Sequence, residues 1–327
     1  MRFLARSFAC RSFAAAAIAF ACGSAAAQGY PAKPVRVVVP FPPGQATEIM
    51  GRLLAEKLAE SMGQSFTVDN RPGASGIIGV EHVAKSPPDG YTLLVTASGT
   101  MVINPHLYTK LSYDPLRDFA PIALLGIFPL MAVVHPAVPA RNIRELVALA
   151  KSRSGELNFA SSGAGTAPHL AAEMFKYHAG VELVHIPYKG SGPALADLLG
   201  GRVTMMFDTV TSSLPHVQSG KLRAIAVTAA ARTSALPDVP TAAESGVPDM
   251  VAVGWAGLLA PAGTPREIVA RLNAESTRIL SRPDVRERLL AIGCDPAPGT
   301  AEDFVQYMRT ESARWAQAVK AAGVKLD

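Results

Sequence analysis

The chain has 327 residues, 49% hydrophobic and 17% charged, with 31 Lys and Arg against 26 Asp and Glu. No run of Lys or Arg follows Gln28, so the clustered basic stripe that displaces phosphate counterions is missing and nucleic-acid binding is excluded. The uncharged run 119–134 is interrupted by Pro121, Gly126 and Pro129 and reads as two buried strands, not a membrane helix.

Residues 1–27 read as a secretory leader cut before Gln28. Arg2, Arg6 and Arg11 precede an apolar stretch too short to span a bilayer, and Ala25-Ala26-Ala27 closes it with small residues. Acylation at Cys22 is set aside, because Ala19, Phe20 and Ala21 make a poor lipobox. Removing the leader takes away three arginines and leaves a nearly neutral chain of about 300 residues, enough for two domains. It also removes Cys10 and Cys22, so Cys294 stands alone, cannot form an internal disulfide, and is expected to be a half-buried apolar filler.

After the leader, short β-branched runs recur at 35–39, 91–96, 122–125, 130–134, 183–186, 203–207 and 224–228, and suggest buried parallel strands. Between them Ile49, Leu53, Leu54, Leu58 and Met62 share one helical face, as do Ile143, Leu146, Val147 and Ala150. Strand and helix alternate, which is an α/β pattern. The last part differs, with one strand near 253–259 and helices over 265–280, 284–292 and 301–321. Pro265 suits a first helical turn, Thr300 is placed to cap the last helix, and Gly323 to stop it. No low-complexity linker divides the chain, so two domains imply that it crosses between them more than once.

Two strand-to-helix turns carry the chemistry. Pro40-Phe41-Pro42-Pro43-Gly44-Gln45-Ala46-Thr47-Glu48 and Ser161-Ser162-Gly163-Ala164-Gly165-Thr166-Ala167-Pro168-His169 each follow a strand and open a helix. Each should present free backbone N–H groups and roughly half a positive charge from the helix dipole, a ready anion site. An ordinary βα turn is the competing reading for either alone; two in one chain favour binding. Ser98, Gly99 and Thr100 join them, because they follow the 91–96 strand at the carboxyl end where open sheets bind ligands. His169 lies on the helix face behind the second turn. Asp208 either accepts a hydrogen bond from a ligand or caps the next turn. Lys189 could pair with a ligand carboxylate or stand solvated in its turn.

No cofactor or metal is expected. Gly163-Ala164-Gly165 imitates a dinucleotide fingerprint within 157–187, but Pro168 stands where a third small residue belongs, and no acidic residue ends the next strand. The seven histidines show no metal-ligand spacing. Gly73-Ala74-Ser75-Gly76 is one position short of a hydrolase elbow, and no nucleophile with a base is recognisable. A secreted esterase or amidase is therefore the weaker reading.

Tyr30-Pro31, Lys33-Pro34 and Val38-Val39-Pro40-Phe41-Pro42-Pro43-Gly44 resemble the start of the Bug receptors, the Bordetella uptake gene family of tripartite tricarboxylate transporters. The likeness runs through Asn70-Arg71-Pro72-Gly73-Ala74, Pro88-Asp89-Gly90-Tyr91, Pro187-Tyr188-Lys189-Gly190, Trp255 with Gly257-Leu258, and Ala260-Pro261-Ala262-Gly263-Thr264-Pro265. The resemblance implies a type II periplasmic binding protein of two Rossmann-like α/β domains with a ligand cleft between them. Domain 1 would be 28–128 plus 252–327, and domain 2 would be 129–251. It implies no enzyme, but a monomeric periplasmic receptor that captures a dicarboxylate, tricarboxylate or aromatic carboxylate for membrane transport components. A sensor for a membrane signalling partner would use the same clamp. The ligand contacts expected are Phe41, Gly44, Gln45, Ala46, Thr47, Ser98, Gly99, Thr100, Ser162, Gly163, Ala164, Gly165, Thr166, His169 and Asp208. Gln45 stands where the family has a second glycine, which points to a ligand other than a simple C4 diacid; Glu48 stands where it has aspartate and keeps the acid that a helix's first turn favours.

Overall fold

The computed structural model describes residues 29–248 and 250–326; the leader expected over 1–27 lies outside them. In chain order the first elements are β1 (Val35–Val39), α1 (Ala46–Met62), β2 (Phe66–Asn70), α2 (Ile77–Ala84), β3 (Thr92–Ala97), a helical turn Gly99–Ile103, α3 (Asn104–Leu107) and β4 (Phe119–Val134). The middle holds α4 (Ile143–Ser152), β5 (Asn158–Ser161), α5 (Ala167–Ala179), β6 (Val184–Pro187), α6 (Ser191–Leu199), β7 (Met205–Thr209), α7 (Val210–Gln218) and β8 (Arg223–Val227). The chain ends with β9 (Val253–Pro261), α8 (Arg266–Ser281), α9 (Pro283–Ala291), β10 (Asp295–Pro296) and α10 (Ala301–Ala322).

The strands form one mixed sheet in the order β2-β1-β3-β9-β4-β7-β5-β6, with β8 and β10 also paired to β4. β1 runs parallel to β2 and β3, and β5 parallel to β6 and β7, but β6 is an exposed edge strand and not the buried run expected at 183–186. β4 and β9 instead run antiparallel to their neighbours. Both are buried along almost their whole length, and unbroken burial, not direction, is what a continuous apolar run reports.

The run 119–134 is one 16-residue strand where two were expected. Its register on β9 slips between Pro121 and Ala123 and again between Leu124 and Gly126. The first bulge takes up Pro121, which has no N–H to give a ladder. Pro129 is the last β4 residue paired with β9; from Leu130 the strand pairs with β7, and from Met131 with β8. β4 thus joins two half-sheets, each an α/β layer.

Helix faces follow the apolar spacing. Met50, Leu54 and Leu58 of α1 share a core with Leu272 of α8 and Leu289 of α9 on one face of the first half-sheet. On the other face α10 brings Phe304, Met308 and Trp315 into a core with Leu170 and Phe175 of α5, so this helix spans both halves from behind. Each such side chain stabilises the fold by about 1.5–3 kcal/mol through burial. Thr300 and Asp303 close a reciprocal capping box at the start of α10, and Gly323, at φ 65°, ends it. Pro265 sits one residue ahead of α8, not inside its first turn. Cys294 is fully buried beside Gly126, more so than expected, and burial pushes its thiol pKa up, away from nucleophilic use. Among the described residues no helix is long and apolar enough to cross a membrane.

Candidate functional site

α1 and α5 begin on the same cavity, whose inner free volume is about 50 Å³. The β1–α1 turn lines it with Phe41, Gln45, Ala46 and Thr47, and the β5–α5 turn faces these with Ser162, Thr166, Ala167 and Pro168. The first amides of each helix have no intrahelical acceptor and sit at the positive end of its dipole. Around them lie Ala97 at the end of β3 with Ser98 and Gly99 after it, Asp208 and Thr209 at the end of β7, Ser191 at the start of α6, and Phe128, Gly254 and Trp255 from the antiparallel strands. A larger space of about 580 Å³ adjoins it, sharing Phe41, Gln45, Ser75, Ser162 and Thr166 and reaching Pro42, Gly163, Ala164, Lys189 and Gly190.

The first turn is stiffened by proline and by apolar burial. Phe41 is buried, and its carbonyl accepts from Asn70 Nδ2 at 2.9 Å. Gly44 takes φ 88°, which only glycine holds without steric cost, and donates its N–H to Glu48 Oε2 at 3.2 Å. Arg52 holds the other oxygen of Glu48. Gly44, expected to offer its amide to an anion, therefore gives it to Glu48 and lines neither space. Gln45 precedes α1 without a side-chain cap bond and lines both spaces.

The second turn is held by a polar network. Gly163 N–H donates to Ser161 Oγ at 3.2 Å, and that hydroxyl shares a 2.7 Å hydrogen bond with His185 Nε2. Gly165 N–H donates to His169 Nδ1 at 3.1 Å, which leaves the ring proton on Nε2. The rings of His169 and His185 stack with centroids 4.1 Å apart. Burial, with repulsion from His185 next, holds His169 down to about 3, and burial holds His185 down to about 4, so both are neutral. Glu173 accordingly pairs with Lys176 at 2.9 Å. Two expectations change here: the glycine amides are taken up inside the turn, and His169 positions the turn from behind without reaching the cavity. Gly163 and Ala164 line the outer space, Gly165 lines neither, and Ser162 and Thr166 line both.

Ser161 and His185 form the hydroxyl–imidazole pair that sequence did not reveal. Ser161 is fully buried and does not line the cavity, so its role is to brace the turn. Thr100 is likewise behind the site, bonded to Thr96 Oγ1 at 2.7 Å and to the Ala97 carbonyl at 2.9 Å, whereas Ser98 and Gly99 face in. Asp208 is in the lining as expected, its oxygens accepting from Ser191 and Ser213, while the following helix is capped by Thr209 and not by Asp208.

The two half-sheets meet at the cavity rim. Ser75 Oγ donates to the Ala164 carbonyl, and a Cβ on Gly99 would lie 3.4 Å from the Gly165 carbonyl. A Cβ on Gly190 would come within 2.7 Å of Pro42 and 3.0 Å of Gln45 Nε2. Sequence reading missed Ser75, which sits at φ 53° beside Ala74 at φ 44°, a conformation non-glycine residues hold only under outside constraint. It also missed Ser191, although Gly190-Ser191 repeats the strand-to-helix pattern of the other turns. Trp255 was noted only in a motif; its indole N–H is buried with no acceptor in the protein.

The arrangement is an anion cradle of dipoles and hydroxyls, and among the described residues its inner lining has no Lys, Arg or His. A family model described as tripartite tricarboxylate transporter family receptor matches residues 50–324. The chain belongs to this receptor family. It is similar to protein BugT of Bordetella pertussis, 40% identical over 92% of either chain. Among solved structures, Rpa4515 of R. palustris with adipate is 38% identical, with a TM-score of 0.89, covering 90% of this chain and 99% of its own. MatC from Rhodopseudomonas palustris with bound malate is 35% identical, with a TM-score of 0.84, covering 89% of this chain and 100% of its own. The α/β receptor fold read from sequence is thus the fold of the family.

Proposed function

We propose that this chain is a periplasmic solute-binding receptor, not an enzyme, that captures a small organic carboxylate and delivers it to the membrane components of a tripartite tricarboxylate transporter. The observation that carries this reading is the convergence of α1 and α5 on one cavity. A carboxylate at the first turn of α1 and a second polar group at Ser162, Thr166 and the start of α5 would let one ligand hold both halves. The lobes would be residues 28–128 plus 252–327 and 129–251, since pairing within β4 changes partners at Pro129. Closure follows because the cross-rim contacts and the second set of ligand contacts exist together only when the lobes meet, so the ligand shifts the population. The adipate and malate of the similar structures suggest dicarboxylates as first candidates, and Gln45 narrows the mouth further.

A thermal-shift screen of the mature chain against diacids, triacids, aromatic acids and amino acids tests the reading. A dicarboxylate that binds only the folded state should raise the melting temperature, by an amount that grows with concentration above Kd. Stabilisation by cations alone, with no diacid, triacid, aromatic acid or amino acid active, would contradict it.

A further inference from the structure

Among the described residues Asp208 is the single titratable side chain in the inner lining, and it is fully buried. Ser191 Oγ donates to its Oδ1 at 2.8 Å, and Ser213 Oγ to its Oδ2 at 2.7 Å. Among the described residues no charged partner acts on it: α6 offers Ser191, α7 offers Ser213, the Thr209 amide lies beside it, β4 opposes it with Met131, and α5, which also packs on β7, brings neutral His169 and a Lys176 already paired with Glu173. An organic anion in this cavity would lie beside a buried carboxylate that has no cationic partner. Two like charges so placed do not both stay ionised.

Resting on the receptor reading above, we propose that the chain binds its organic anion together with one proton, held on Asp208 and donated as a hydrogen bond to the ligand. The proton comes from solvent on capture and returns to it on release; no other bond forms or breaks. The serine hydroxyls permit this, because each can rotate between donating and accepting. Burial already pushes the Asp208 carboxyl up to about 6, and an anion beside it pushes in the same direction. The ligand class that fits is a fully ionised acid with no cationic group, whether plain or hydroxylated. An amino acid would instead meet an ionised Asp208 with its ammonium group and carry no proton in.

Isothermal titration calorimetry with adipate, malate and aspartate, in two buffers of different ionisation enthalpy, reads the proton directly. Above pH about 6, adipate or malate should bind with uptake of about one proton, and Kd should rise about tenfold per pH unit over roughly two units. Asp208→Asn, which keeps a donor with no charge, should bind the same acids with no proton uptake and a flat profile. A flat profile without proton uptake in the parent chain would overturn the proposal, as would a slope that survives in Asp208→Asn. Binding of aspartate alone, without proton uptake, would assign Asp208 to an ammonium group instead. Silence from every acid in the wider thermal-shift screen would remove the receptor reading and this proposal together.

Discussion

The two turns that face each other across the cavity reach the same geometry by different means. The β1–α1 turn is braced by three prolines, a buried phenyl ring and one carboxylate, Glu48, tied to Arg52. The β5–α5 turn is braced by neutral imidazoles, one buried and one half-buried, and a serine, with glycines in positive φ packed against the opposite half. The first is stiff through covalent restriction and apolar burial, and the second through a hydrogen-bond network that is intact only while its histidines carry no charge. An anion cradle therefore needs its amides aimed, but leaves open what aims them.

Valine at the two glycines should give the largest contrast. A Cβ on Gly165 would lie 2.8 Å from Asn104 Oδ1 and 3.2 Å from Leu107 Cδ1, at φ 79°. Gly165→Val combines overpacking with a left-handed backbone and should cost roughly 2–5 kcal/mol of stability. A Cβ on Gly44 meets nothing within 4 Å, so only the backbone cost of about 1–2 kcal/mol applies to Gly44→Val. Urea denaturation of both variants checks the order, and equal losses would erase the distinction between the turns.

Acid separates them next. Burial depresses His169 from 6.5 to about 3 and His185 from 6.5 to about 4. Below 6.5 the unfolded chain takes up protons that the folded chain refuses, so stability present above that pH is lost as pH falls towards about 4. Asp208 acts oppositely, because its pKa is raised from 3.8 to about 6 and its protonation favours the folded state as pH falls. The comparison must therefore be made within one background: His169→Gln should lose less stability than the parent between those pH values. An identical fall in the urea midpoint would show that the imidazole network does not brace the turn. At constant neutral pH, His169→Ala should cost ~1–3 kcal/mol by leaving the buried Gly165 N–H without an acceptor.

Much of this was legible in the chain. β-branched runs placed β1 and β3, the 3.6-residue spacing placed α1 and α4, and Thr300 announced the start of α10, because each signal is local. Both turns were found from strand, glycine and helix order alone. Strand direction was not, since β4 and β9 are buried on both faces and look like parallel strands. The fate of the glycine amides was also invisible: Glu48 and His169 compete for them at four residues' distance, and nothing in the spacing says whether the side chain turns back to the loop. Phe128, Gly254 and Trp255 reach the cavity only because β9 returns between β3 and β4, a long-range pairing with no local signature.

The account stands on one carboxylate-sized anion being held between two helix starts. A crystal structure of the mature chain with the acid that gives the largest thermal shift tests this most directly. One carboxylate should lie within hydrogen-bond distance of the Ala46 and Thr47 amides, with the other end of the ligand at Ser162 or Thr166 and beside Asp208. An acid seated outside that cavity, or held at the rim by Lys189 without either helix start, would contradict it.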